Sequence, residues 1–132
     1  MTYGLDTSVV LRILTGRPQP LADIVSERIG HILEEGGDFF VADMAILEAY
    51  HALQHFYGST KEEAVLALRS IAQEPGFAVS PEAMSALDTP NAWKASPGMI
   101  DRMIANGYAA KGYVTVSCEK SFSKLDLTEV IK

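Results

Sequence analysis

A single cysteine, Cys118, occurs in 132 residues, so no internal disulfide can form and a reducing cytoplasm is the expected setting. No apolar run approaches the roughly 20 residues that a membrane helix needs. No basic-then-apolar leader opens the chain, so neither insertion nor export is expected. Positive charge is also short: Lys and Arg number 11 against 17 Asp and Glu, a net charge of −6. The surface as a whole should therefore not attract nucleic acid non-specifically. A nucleic-acid enzyme is not excluded by this, because acids gathered at a metal site leave the positive field to bound ions, a local basic rim or a partner. The phosphate-cradling pattern G-x-x-x-x-G-K-[ST] and the dinucleotide pattern G-x-G-x-x-G are both absent, as is the His-Glu-x-x-His of metalloproteases.

What is present is ordinary in bulk and specific in detail. Hydrophobic residues make up 48% and charged residues 21%, the composition of a globular chain long enough to bury a core. Tyr3-Gly4-Leu5 reads as a short strand running into Asp6, with Thr7-Ser8 as N-cap of a helix from Val9 to Leu14. Thr15-Gly16-Arg17-Pro18 stops that helix, and Pro20 opens another that runs to about Glu35. Phe39 to Ala42 reads as a continuously buried strand, and Asp43 as the cap of a helix carrying Ile46, Tyr50, Leu53 and Tyr57 at helical spacing. Ser59 or Thr60 with Glu62 and Glu63 predicts a capped start for a helix from Lys61 to Gln73.

Glu74-Pro75-Gly76 predicts a turn into strand Phe77 to Val79, and Ser80-Pro81-Glu82 opens a helix of about two turns. A loop from Asp88 to Pro97 precedes a helix from Gly98 to Lys111, with Gly112 as its stop. Strand Tyr113 to Ser117, a loop Ser121 to Lys124 and a weak strand Leu127 to Ile131 complete the chain. No repeat or linker divides it, so residues 1–132 are expected to form one domain. Short apolar strands alternating with helices predict an α/β fold with a parallel sheet covered on both faces: a three-layer α/β/α sandwich around about four to five short strands.

In such a sheet ligands bind beyond the carboxyl ends of the strands. Asp6 ends the first strand, and three further acids have comparable addresses. Glu48 lies early in the helix after the second strand, Asp101 in the first turn of the helix before the fourth, and Glu119 just past that strand. Carboxylates converging on one edge repel unless a divalent cation neutralises them, and all-oxygen ligands suit Mg²⁺ or Mn²⁺ rather than zinc. Each acid also has a purely structural role open to it: Asp6 as a helix cap, Asp101 as a partner of the helix dipole, Glu48 and Glu119 as solvated side chains.

His51 and His55 stand four apart, and Glu48-x-x-His51 copies half of a di-iron helix motif, but the strands argue against the bundle such a site needs. Both are expected as structural or surface residues. Cys118 is expected as a small buried filler, and Tyr50, Phe56, Tyr57 and Phe122 as core.

Four stretches together resemble the motifs of PIN-domain nucleases, particularly VapC-type toxins. Leu5-Asp6-Thr7-Ser8-Val9-Val10-Leu11-Arg12-Ile13-Leu14-Thr15-Gly16 is similar to the family's first motif, and Val41 to Glu48 to its second, which ends in glutamate. Met99-Ile100-Asp101-Arg102-Met103-Ile104-Ala105 is similar to the third, and Ser117-Cys118-Glu119-Lys120-Ser121-Phe122 to the fourth. The resemblance spans nearly the whole chain. Glu119 stands where the family carries aspartate, Ser121 where a further acid is frequent, and Arg102 where a small residue is usual.

The resemblance implies a Mg²⁺-dependent endoribonuclease in which Asp6, Glu48, Asp101 and Glu119 are the catalytic, metal-holding acids. Thr7, Ser8 and Ser117 would support them, and Arg12, Arg102 and Lys120 are candidate RNA contacts. It also implies the toxin of a toxin–antitoxin pair, with a small cognate antitoxin as partner and a homodimer or higher assembly. The alternative is a PIN-like RNA- or protein-binding module with weakened catalysis. A receiver-type phosphotransfer domain expects an acidic pair at the first strand, whereas Asp6 is followed by Thr7.

Overall fold

The computed structural model describes residues 1–132 as a mixed α/β protein that divides into two compact units, residues 1–80 and residues 81–132. Five strands are grouped by hydrogen bonding into a parallel sheet of three and a parallel sheet of two. No helix is long and apolar enough to cross a membrane.

The first unit runs β1 (Thr2–Leu5), α1 (Thr7–Thr15), α2 (Leu21–Glu34), β2 (Asp38–Val41), α3 (Asp43–His55), α4 (Lys61–Gln73) and β3 (Phe77–Ala78). The strand order is β1-β2-β3, with Tyr3 opposite Phe39, Leu5 opposite Val41, and Phe39 opposite Phe77. Register therefore stacks three aromatics on one face: Phe39 lies 6.1 Å from Tyr3 and 5.0 Å from Phe77, ring centre to ring centre. Right-handed crossovers between successive neighbours place both connections on the same face. In keeping with this, α1 packs on α2, α3 and α4. Strand β2 accordingly alternates, with Phe39 and Val41 buried and Asp38 and Phe40 exposed. This corrects the expectation of a continuously buried strand, which required cover on both faces.

Val10, Ile46, Val65 and Leu68 are almost wholly buried, each contributing about 1.5–3 kcal/mol by leaving water. Helix α1 stops at Gly16, whose φ of +66° is a left-handed conformation that glycine adopts without strain. Helix α4 starts on a reciprocal cap: Thr60 Oγ1 accepts from the Glu63 amide at 3.1 Å, and Glu63 Oε1 accepts from the Thr60 amide at 2.8 Å. Asp43 is not the cap of α3. Ala42 holds that position, and the Asp43 carboxylate instead accepts from the Ser80 hydroxyl at 2.7 Å. Helix α3 ends at His55, so Tyr57 lies outside it and Phe56, 85% exposed, is not a core residue.

The second unit runs α5 (Pro81–Leu87), α6 (Met99–Ala110), β4 (Thr115–Ser117), a 3-10 helix (Lys120–Lys124) and β5 (Thr128–Val130). Helices α5 and α6 pack together, tied by Asn106 Nδ2 donating to the Glu82 carbonyl at 3.2 Å. Strands β4 and β5 pair in parallel, Thr115 opposite Thr128 and Ser117 opposite Val130. The stretch expected as a loop, Ser121 to Lys124, is helical because Phe122 is buried as an anchor and the Thr128 hydroxyl donates to the Phe122 and Leu125 carbonyls. Cys118 is exposed, not a buried filler.

Candidate functional site

Strand β1 ends where Leu5 pairs with Val41, and the next residue, Asp6, keeps an extended backbone while α1 begins behind it. Asp6 is thus the N-cap, in place of Thr7-Ser8, and α1 begins at Thr7 rather than Val9. Its Oδ1 accepts from the Val9 amide at 3.2 Å and from the Ser8 hydroxyl at 2.6 Å. These donors, Ser8 first and Val9 second, hold the exposed Asp6 carboxyl below the usual carboxylate range, with a smaller contribution from the Arg12 charge. The cap and the proposed ligand are the same side chain: both bonds use one carboxylate oxygen.

Glu48 projects from the second turn of α3 and is exposed, with Oε1 accepting from the Thr7 hydroxyl at 3.2 Å. Parallel pairing of β1 with β2 makes this possible, since it brings the start of α1 and the start of α3 to the same strand ends. The first unit therefore brings together Asp6, Thr7, Ser8 and Glu48. Arg12, one turn further along α1, donates from Nη1 to the Ser8 carbonyl at 3.0 Å, while its buried Nε has no partner. Its guanidinium is fixed against the backbone that carries Asp6.

Strand-end reasoning from the sequence did not pick out Asp43 and Ser80. They lie just beyond β2 and β3 and join across 2.7 Å. The available signal was Asp43's place two residues after a strand, parallel to that of Asp6.

The second unit carries the other two acids. Asp101 is half-buried in the first turn of α6, beside the buried Met99 and Met103. Glu119 is exposed and precedes the 3-10 helix. Ser117 does not hold a carboxylate: its Oγ accepts from the Glu119 backbone amide at 2.9 Å. Arg102 donates from Nε to the Pro97 carbonyl at 2.8 Å, which ties the entry to α6. Lys120 is exposed and lines a cleft of about 790 Å³ with Cys118, Ser123, Val130, Ile131 and Lys132.

Within neither unit do three His, Cys, Asp or Glu side chains gather into a group able to hold a metal ion. The donors in the first unit, two carboxylates, have the hard-oxygen chemistry of a Mg²⁺ or Mn²⁺ ligand set. Comparison with protein-family models, with curated proteins and with solved structures finds no match. The resemblance to PIN-domain nucleases rests on the four sequence motifs alone.

Proposed function

We propose that this chain is a Mg²⁺-dependent endoribonuclease of the PIN-like class and the toxin of a toxin–antitoxin pair. Its acids are Asp6, Glu48, Asp101 and Glu119, as the motif resemblance implies. The observation that carries this reading is the pair of carboxylates at the strand ends of the first unit. Asp6 is oriented by Ser8, and Glu48 is oriented by Thr7. Supporting donors of this kind fix rotamers and tune affinity at metal sites. The low proton affinity of Asp6 keeps it ionised and ready to bind a cation.

Held by these acids, Mg²⁺ would activate water for attack and offset charge on the phosphoryl group. The chain's own part is to hold and aim the carboxylates and to place Arg12, Arg102 and Lys120 along the RNA path. The finer architecture belongs to the same proposal: a three-layer α/β/α sandwich of one domain, acting in the cytoplasm. So do a small antitoxin as partner and a homodimer or higher assembly. Asp6→Asn is expected to lower Mg²⁺-dependent RNA cleavage by about 10²–10⁴-fold, the scale on which a positioned proton-transfer or metal-activated group acts. Unchanged cleavage would falsify the assignment.

A second reading, a PIN-like binding module with weakened catalysis, is favoured by the second unit. There Glu119 replaces aspartate, Ser117 is spent on a backbone amide, and Arg102 is tied to Pro97. RNA binding without Mg²⁺-dependent cleavage would select it.

A further inference from the structure

Helix α3 carries a feature that the acids do not use. His51 and His55 are both exposed and stand one helical turn apart on the helix surface. Their rings lie nearly parallel, 19° apart in plane, with centroids separated by 6.0 Å. The buried Tyr50 flanks the His51 ring at 5.8 Å. Exposure removes the explanation of the pair as satisfied core residues, and leaves both rings free to turn without disturbing packing.

Imidazole nitrogen is a preferred donor for Zn²⁺, Cu²⁺ and Ni²⁺ and a poor one for Mg²⁺. Zn–N bonds of about 2.0–2.1 Å require the two nitrogens on one ion to lie within about 4 Å of each other. Rings already parallel at 6.0 Å reach that spacing by side-chain rotation alone. The geometry points to a divalent transition-metal site on the exposed face of α3, in which His51 and His55 chelate one Zn²⁺ and water fills the remaining positions.

The site is chemically distinct from the carboxylate edge. Glu48 lies on the same helical stripe, within about 60° of arc of both histidines at 3.6 residues per turn. Its Oε1, however, accepts from the Thr7 hydroxyl, which directs that side chain toward the start of α1. The bridge would tie the last turn of α3 to the turn before it, where helices ordinarily fray, so Zn²⁺ should raise the thermal midpoint as any ligand selective for the folded state does. The inference stands whether or not the chain cleaves RNA.

The test is calorimetric titration of the full chain with Zn²⁺ in the absence of Mg²⁺, with circular dichroism confirming that each variant is folded. The expected result is saturable uptake of one Zn²⁺ per chain with a rise in thermal midpoint. Uptake and rise are both lost in His51→Ala and in His55→Ala, and both are retained in Asp6→Asn. No uptake by the unsubstituted chain overturns the site. Uptake that survives the double substitution but disappears in Asp6→Asn also overturns it, and places the ion on the acids.

Discussion

The two units position their polar residues in different ways. In the first, Asp6 is held locally by Ser8, but two further carboxylates are oriented by residues far apart in sequence: Glu48 by Thr7, and Asp43 by Ser80. In the second, the side chains beside the two acids make local bonds to backbone: Ser117 to the amide of Glu119, and Arg102 to the carbonyl of Pro97. A long-range bond positions a side chain only while the whole sheet-and-helix packing is intact. A local bond shapes a turn wherever that turn sits. Glu48 and Asp43 are therefore oriented by the fold, and the placing of Glu48 beside the start of α1 should be sensitive to its integrity.

The largest expected effect follows from that dependence. Leu68 is completely buried in α4, and Leu68→Ala should cost about 2–5 kcal/mol through lost burial and the cavity left behind. A urea-unfolding midpoint checks this. A loss under about 1 kcal/mol would mean that the first unit is not packed as described.

A paired substitution sharpens the comparison between long-range and local bonds. Thr7→Val keeps the shape but deletes the donor to Glu48, and RNA cleavage should fall about tenfold, the kinetic equivalent of one hydrogen bond to a charged group. Ser117→Ala removes only a turn contact and should leave cleavage within about twofold. Equal losses in both variants would erase the distinction.

The smallest effect concerns the α4 cap. Thr60→Ala should lower stability by about 1 kcal/mol at neutral pH. The Glu63 carboxyl lies below its ordinary value, first because the Thr60 amide donates to it and then through the Thr60 hydroxyl; Asp6 lies below its own for the reasons given above. A depressed folded-state pKa means stabilisation that is present above the unfolded value and lost as pH falls through the folded one. Both groups therefore predict stability that declines below about pH 4. Chemical unfolding at a series of pH values should show a shallower decline in Thr60→Ala than in the parent chain.

How much of this could be read beforehand varied with the physics involved. The Thr60–Glu63 cap was legible because its partners sit three residues apart within one turn. The N-cap of α1 was not, since Asp6, Thr7 and Ser8 all have capping side chains. The choice falls to Asp6 because pairing of Leu5 with Val41 ends the strand there. The alternation of β2 depends on which face the crossovers cover, a property of chain path and not of the apolar run Phe39-Phe40-Val41. Phe56 looked like core by composition, yet it caps the end of α3 and faces solvent. Asp6 and Glu48 as strand-edge carboxylates were legible. Their bridging by Thr7 was not, because that bond spans 41 residues.

The most direct test of the central claim is calorimetric titration of the chain with Mg²⁺ and Mn²⁺, compared with Asp6→Asn. The account predicts saturable binding that is lost in the variant while the fold, followed by circular dichroism, is unchanged. Binding that is absent in the parent chain, or that persists undiminished in Asp6→Asn, would contradict it.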